Sequence, residues 1–91
     1  MDIVMQPGSI EHIDFEIWIA EEELSDLADQ LREMQEATDT VLRALPPDAD
    51  RMLAVLRRER SLIRRQMDII VRGLESYDAI RADALREGLR R

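Results

Sequence analysis

A single heptad pattern, held without interruption from Ile10 to Leu45, restricts what this chain can fold into more than any other feature. With Ile10 as position a, Ile10, Ile17, Leu24, Leu31, Thr38 and Leu45 fall at a, and Ile13, Ala20, Leu27, Met34 and Val41 at d. Residues three and four apart share one side of an α-helix, so this spacing draws a single apolar stripe. A stripe kept for about five heptads requires a partner helix along its length rather than a sheet beneath it. No glycine or proline breaks the run, and at ~1.5 Å per residue the helix is roughly 50 Å long.

The flanking residues predict where that helix begins and ends. Pro7-Gly8 interrupts whatever precedes it, and Ser9 is suited to accept a hydrogen bond from a free amide of the first turn. Glu11, Asp14 and Glu16 follow, the nearest of them favourably placed at the positive end of the helix dipole. Leu45-Pro46-Pro47-Asp48 closes the helix, because proline cannot continue the backbone ladder and disfavours helical geometry in the residue before it. Beyond it, apolar residues resume a heptad with Leu53 at a, broken there by Arg60, Arg81 and Gly88. The expected organisation is an extended or disordered segment over residues 1–9, a helix over 10–45, a turn at 46–48 and a helix over 49–87.

The two registers can be tested against each other. If the chain reverses at the prolines, each a residue should lie beside a d residue of the other helix, with numbers that add to a constant. Leu45 beside Ala49 sets that constant at 94, which pairs Val41 with Leu53, Leu31 with Ile63, Leu27 with Met67 and Ile17 with Tyr77. The constancy follows from the heptad itself; the information is that a three-residue connection brings both seams into register. The fold class read from the sequence is therefore all-α: a long, coiled-coil-like antiparallel hairpin. Arg60 and Arg81 would face Met34 and Ile13, with apolar stems packed and guanidinium groups reaching out toward Glu33 or Asp14.

Two helices bury one stripe each, too little for a chain of 91 residues that is 36% charged and 3% aromatic. Apolar residues outside the seam suggest where more helices would pack. On the second helix Met52, Val55, Leu62, Ile69 and Ile80 occupy g and c; on the first, Phe15, Trp18 and Ile19 occupy f, b and c and read as an apolar patch facing away from the seam. These eight residues are the candidate protein interface. Symmetric self-association into a homodimeric four-helix bundle is the leading expectation, with the helix of another protein as the alternative occupant.

Charge is divided between the two halves. Residues 1–47 hold twelve acidic residues against two arginines, and residues 48–91 eight against eleven, giving the net charge of -7. Glu22, Asp26, Asp29, Glu33 and Glu36 form an acidic outer face that could pair with Arg57, Arg58, Arg64 and Arg65 of another copy. Exposed ion pairs contribute only ~0–1 kcal/mol each, so such pairing would orient an assembly more than hold it. The thirteen lysine-or-arginine residues are all arginine, a usage that a GC-rich genome produces as easily as physical selection does.

Little in the composition suggests catalysis. There is no cysteine, one histidine and four serines, and His12 is expected on the surface with no relay partner. Glu33-x-x-Glu36 and Glu75-x-x-Asp78 spell the magnesium-binding pairs of some all-α pyrophosphohydrolases, but the pairing constant separates them to opposite ends of the hairpin. Basic residues without an aromatic stacking platform do not suggest nucleic acid. The start of the chain does not read as a signal peptide and no apolar run reaches the roughly 20 residues of a membrane span. The expectation is a non-enzymatic, cytoplasmic protein-interaction module without cofactor, metal, membrane, nucleic acid or small-molecule substrate. In size and layout the chain resembles the two-helix partners of bacterial type III secretion that shield an aggregation-prone needle subunit. That likeness, one of architecture alone, implies a small secretion chaperone or co-chaperone as the alternative function.

Overall fold

The computed structural model describes the backbone of residues 10–90 and the side chains of residues 10–88; the expectation for residues 1–9 lies outside this range. Helix α1 spans Ile10–Ala44 and helix α2 spans Ala49–Arg90, and no strand occurs among the described residues. The chain is an extended antiparallel helical hairpin. α1 stops one residue before the expected end and α2 runs three residues past it.

The difference at the end of α1 has a local cause. Leu45 adopts a left-handed backbone, φ 43°, and its N–H donates to the Val41 carbonyl at 2.8 Å. This is the single-bond αL cap, usually made with glycine, followed here by a proline that cannot extend the helix. The avoidance of helical geometry before proline is met by crossing to positive φ rather than by extending the chain. The Ala49 N–H then donates to the Pro46 carbonyl at 2.9 Å, closing a β-turn with Pro47 at its second position, where the fixed φ of the ring fits. Asp48 stands at the N-cap of α2, its carbonyl accepting from the Met52 N–H at 3.1 Å.

Burial follows the two heptads. Ile13 is 2% exposed and Val41 and Ile63 are each 6% exposed. Each remaining a or d residue from Ile10 to Val41 and from Ala49 to Ala84 is half-buried, including Arg60 and Arg81. Leu45 and Gly88, the outermost a positions, are exposed. Thr38 keeps its seam position by donating its hydroxyl to the Met34 carbonyl at 2.8 Å, which satisfies the hydroxyl within its own helix. Arg81 Nε donates to Asp14 Oδ1 at 2.7 Å, within one residue of the register expected for this end. Arg60 has no ion-pair partner among the described residues.

A core one side chain thick produces a rod of 68 × 30 × 15 Å with a radius of gyration of 19.8 Å. A compact chain of 91 residues would have a radius near 12 Å. The accessible surface, 7503 Å², exceeds by about 2,000 Å² what a compact monomer of this mass exposes.

Candidate interaction surface

Because the a and d residues of both helices face each other, the g and c residues of both line one broad face of the hairpin and the e and b residues the other; f residues form the two outer edges. The g/c face carries two open clefts. One, of about 410 Å³, is bounded by Glu23, Asp26, Leu27 and Gln30 of α1 and by Gln66, Ile69 and Ile70 of α2. The other, of about 380 Å³ near the turn, is bounded by Ala37 and Val41 on α1, Asp48 at the turn, and Arg51, Met52, Val55 and Leu56 on α2.

Met52, Val55, Leu62, Ile69 and Ile80 share this face, and all five are exposed, with Ile69 at 69%. The stripe is long because g and c residues recur every three to four positions along α2, just as its seam residues do. Glu59, Gln66, Gly73 and Ser76 interrupt it. The α1 half of the same face is acidic near Glu16, Glu23, Asp26 and Glu33, then small near Ala37, Thr40 and Ala44. A cleft with one apolar wall and one acidic wall suits the side of another helix better than a small ligand.

The expected aromatic patch is divided. Phe15 and Trp18 stack with ring centroids 6.2 Å apart and an interplanar angle of 29°, and Trp18 is 58% exposed. Ile19 is half-buried and sits at c on the cleft face, whereas Trp18 at b belongs to the opposite one. The eight candidate interface residues thus form two surfaces, the α2 stripe with Ile19 on one side and the Phe15–Trp18 stack on the other. The e side also exposes Leu42, Val71 and Leu85, which the sequence reading missed; their common heptad position was the available signal.

Glu22, Asp29, Glu33, Glu36, Arg57, Arg58, Arg64 and Arg65 are all exposed. Asp29 pairs with Arg32 and Asp83 with Arg86, each within one helix. Arg81–Asp14 is the one ion pair that crosses between helices among the described residues. Arg57, Arg58, Arg64 and Arg65 have no ion pair among the described residues. Glu33 and Glu36 border a shallow groove with Asp29 and Arg32, and Glu75 and Asp78 are not part of it.

His12 differs from the expectation. Its side chain is about one-third exposed, and its Nε2 lies 3.9 Å from a carboxylate oxygen of Glu16, one turn along α1. Among the described residues no group of three His, Cys, Asp or Glu side chains is arranged to hold a metal ion, and no helix is long and apolar enough to cross a membrane. No protein-family model, curated protein or solved structure matches this chain.

Proposed function

We propose that this chain is a non-catalytic protein-interaction module, acting in the cytoplasm, whose partner is a second copy of itself. In this reading two hairpins close into a four-helix bundle over the g/c face. One observation carries it: α2 exposes a second apolar stripe beside a seam that α1 already occupies. The surface in excess of a compact monomer, about 2,000 Å² for one chain, is more than the roughly 800 Å² that each partner contributes to a standard protein interface.

Light scattering over a range of concentrations tests the reading. A stable dimer is expected, with a thermal midpoint that rises with protein concentration because association favours the folded chain. Replacing Leu62 and Ile69 together by glutamate should yield monomers, whereas Trp18→Ala, on the opposite face, should leave the dimer intact. A wild-type chain that stays monomeric at every concentration would overturn self-association.

The Phe15–Trp18 stack favours a second reading. It lies away from the α2 stripe, so a dimer over the g/c face leaves it open to the helix of a different protein. That mode of binding belongs to a small helical secretion chaperone or co-chaperone. A complex with a heterologous helix that is lost in Trp18→Ala while the homodimer persists would establish it.

A further inference from the structure

The outer edges of the hairpin are complementary in charge, level by level. The f residues of α1 after Phe15 are Glu22, Asp29, Glu36 and Arg43; those of α2 at the same heights along the rod are Arg72, Arg65, Arg58 and Arg51. Equal heights follow from the matched heptads, but the identities do not. Three acids stand level with three arginines, and Phe15 stands level with Ala79, the f residue of α2 that is small and uncharged. Arg43 with Arg51, beside the turn, is the mismatch. All six residues of the three opposite-charge levels are exposed. They lie on opposite edges of one hairpin and cannot meet within it. Asp29 alone of the six has an ion pair, with Arg32 three residues away, and an exposed pair of this kind is readily exchanged.

The complementarity distinguishes between the two ways of stacking a pair of hairpins by their g/c faces. A two-fold axis perpendicular to the helices sets α2 against α2 and α1 against α1, both antiparallel. On the flank of that contact Arg58 approaches Arg72 of the second copy and Arg65 approaches its own equivalent, while acids meet acids along α1. A two-fold axis parallel to the helices keeps every residue at its own height and sets α1 of each copy against α2 of the other. Glu22, Asp29 and Glu36 then flank Arg72, Arg65 and Arg58 of the second copy, twice over by symmetry. Like charges in juxtaposition select against an arrangement and opposite charges fix its register.

Building on the self-association proposed above, we infer that the dimer axis runs parallel to the hairpin, with α1 of one copy packed on α2 of the other and both turns at the same end. The absence of cysteine from the 91-residue sequence allows one spin label to be introduced through Asp50→Cys, in the first turn of α2. Pulsed dipolar spectroscopy on the dimer should give a label separation of about 30 Å, set by helix spacings across the bundle. The perpendicular axis would place the labels about 50 Å or more apart, at opposite ends of the bundle, and that result would overturn the inference while leaving self-association intact. A chain without any intermolecular distance, and monomeric by light scattering, would overturn both.

Charge reversal supplies an independent readout. Glu22→Arg, Asp29→Arg and Glu36→Arg together should weaken the dimer about tenfold or more, by replacing attraction with repulsion. Mixing that variant with one carrying Arg58→Glu, Arg65→Glu and Arg72→Glu should restore a one-to-one dimer. Under the perpendicular axis the first variant only exchanges one like-charge contact for another, so unchanged affinity would count against the parallel axis. Circular dichroism of both variants confirms that the helices persist.

Discussion

Arg60 shows most plainly how one side chain is held within this hairpin. It occupies a seam position between Leu56 and Ile63, half-buried and without an ion-pair partner among the described residues. Its stem covers apolar surface while its guanidinium reaches water, so it interrupts the stripe without adding a compensating bond. Arg60→Leu should preserve helical content and raise the unfolding free energy by about 1 kcal/mol per chain, from added apolar burial; a urea titration followed by circular dichroism checks it. A loss of stability would mean that the guanidinium makes a contact on which folding depends. Arg81 is the counter-case, because at the equivalent position it reaches Asp14 across the seam. Even there both partners are about half exposed, so water screens the pair and its contribution stays within ~1 kcal/mol. Leu45 is a residue working against its own preference, since a non-glycine residue in the left-handed region costs roughly 1–2 kcal/mol. The prolines that follow restrict the alternatives.

The helices are held by their mutual seam more than by their intrinsic preferences. α2 carries Gly73 in its interior, where glycine lowers helix stability by about 1 kcal/mol relative to alanine. A methyl group built there meets nothing within 4 Å. Gly73→Ala should therefore stabilise the hairpin by about 0.5–1 kcal/mol, read as a higher denaturation midpoint at unchanged slope. If the midpoint rises while self-association weakens, the glycine serves close approach of a second copy on the g/c face. Much of this element level was legible in the sequence. Apart from Leu45 and Gly88, the a and d residues of both heptads are withdrawn from solvent, and the turn falls at the two prolines, because periodicity and proline geometry act through neighbouring residues. Neighbouring residues do not specify which side of the helix the second helix occupies. Ile19 and Trp18 are adjacent in sequence, yet one is turned to the cleft and the other away from it.

As a whole the molecule is a thin rod with its apolar stripe along one wall of a broad face and opposite charges on its two edges. A dimer flanked by opposite charges is weakened by salt, and one flanked by like charges is strengthened by it. Raising ionic strength from 0.05 to 0.5 M, a range over which the screening length falls from roughly 14 to 4 Å, should weaken the dimer several-fold by analytical ultracentrifugation. Tighter association at high salt would show that the edges repel. With the parallel axis the α2 stripe of each copy lies on the α1 half of the other's g/c face, so apolar burial concentrates at the turn end, near Ala37, Thr40 and Ala44, and the charged edges set orientation.

The sequence by itself determined the two helices, the place where the chain reverses, and the list of residues that meet along the seam. Each depends on a period or on the geometry of one residue, both of which are local. The g and c stripe of Met52, Val55, Leu62, Ile69 and Ile80 was already legible as a heptad pattern; tertiary structure decided that Ile19 shares its face while Phe15 and Trp18 stack apart from it, and that Leu42, Val71 and Leu85 lie on the far face. It also decided that a single ion pair, Arg81 with Asp14, joins the helices among the described residues. The physical reason is that a heptad specifies angles about one helix axis, whereas a face of the molecule exists only after a second axis has been laid beside the first.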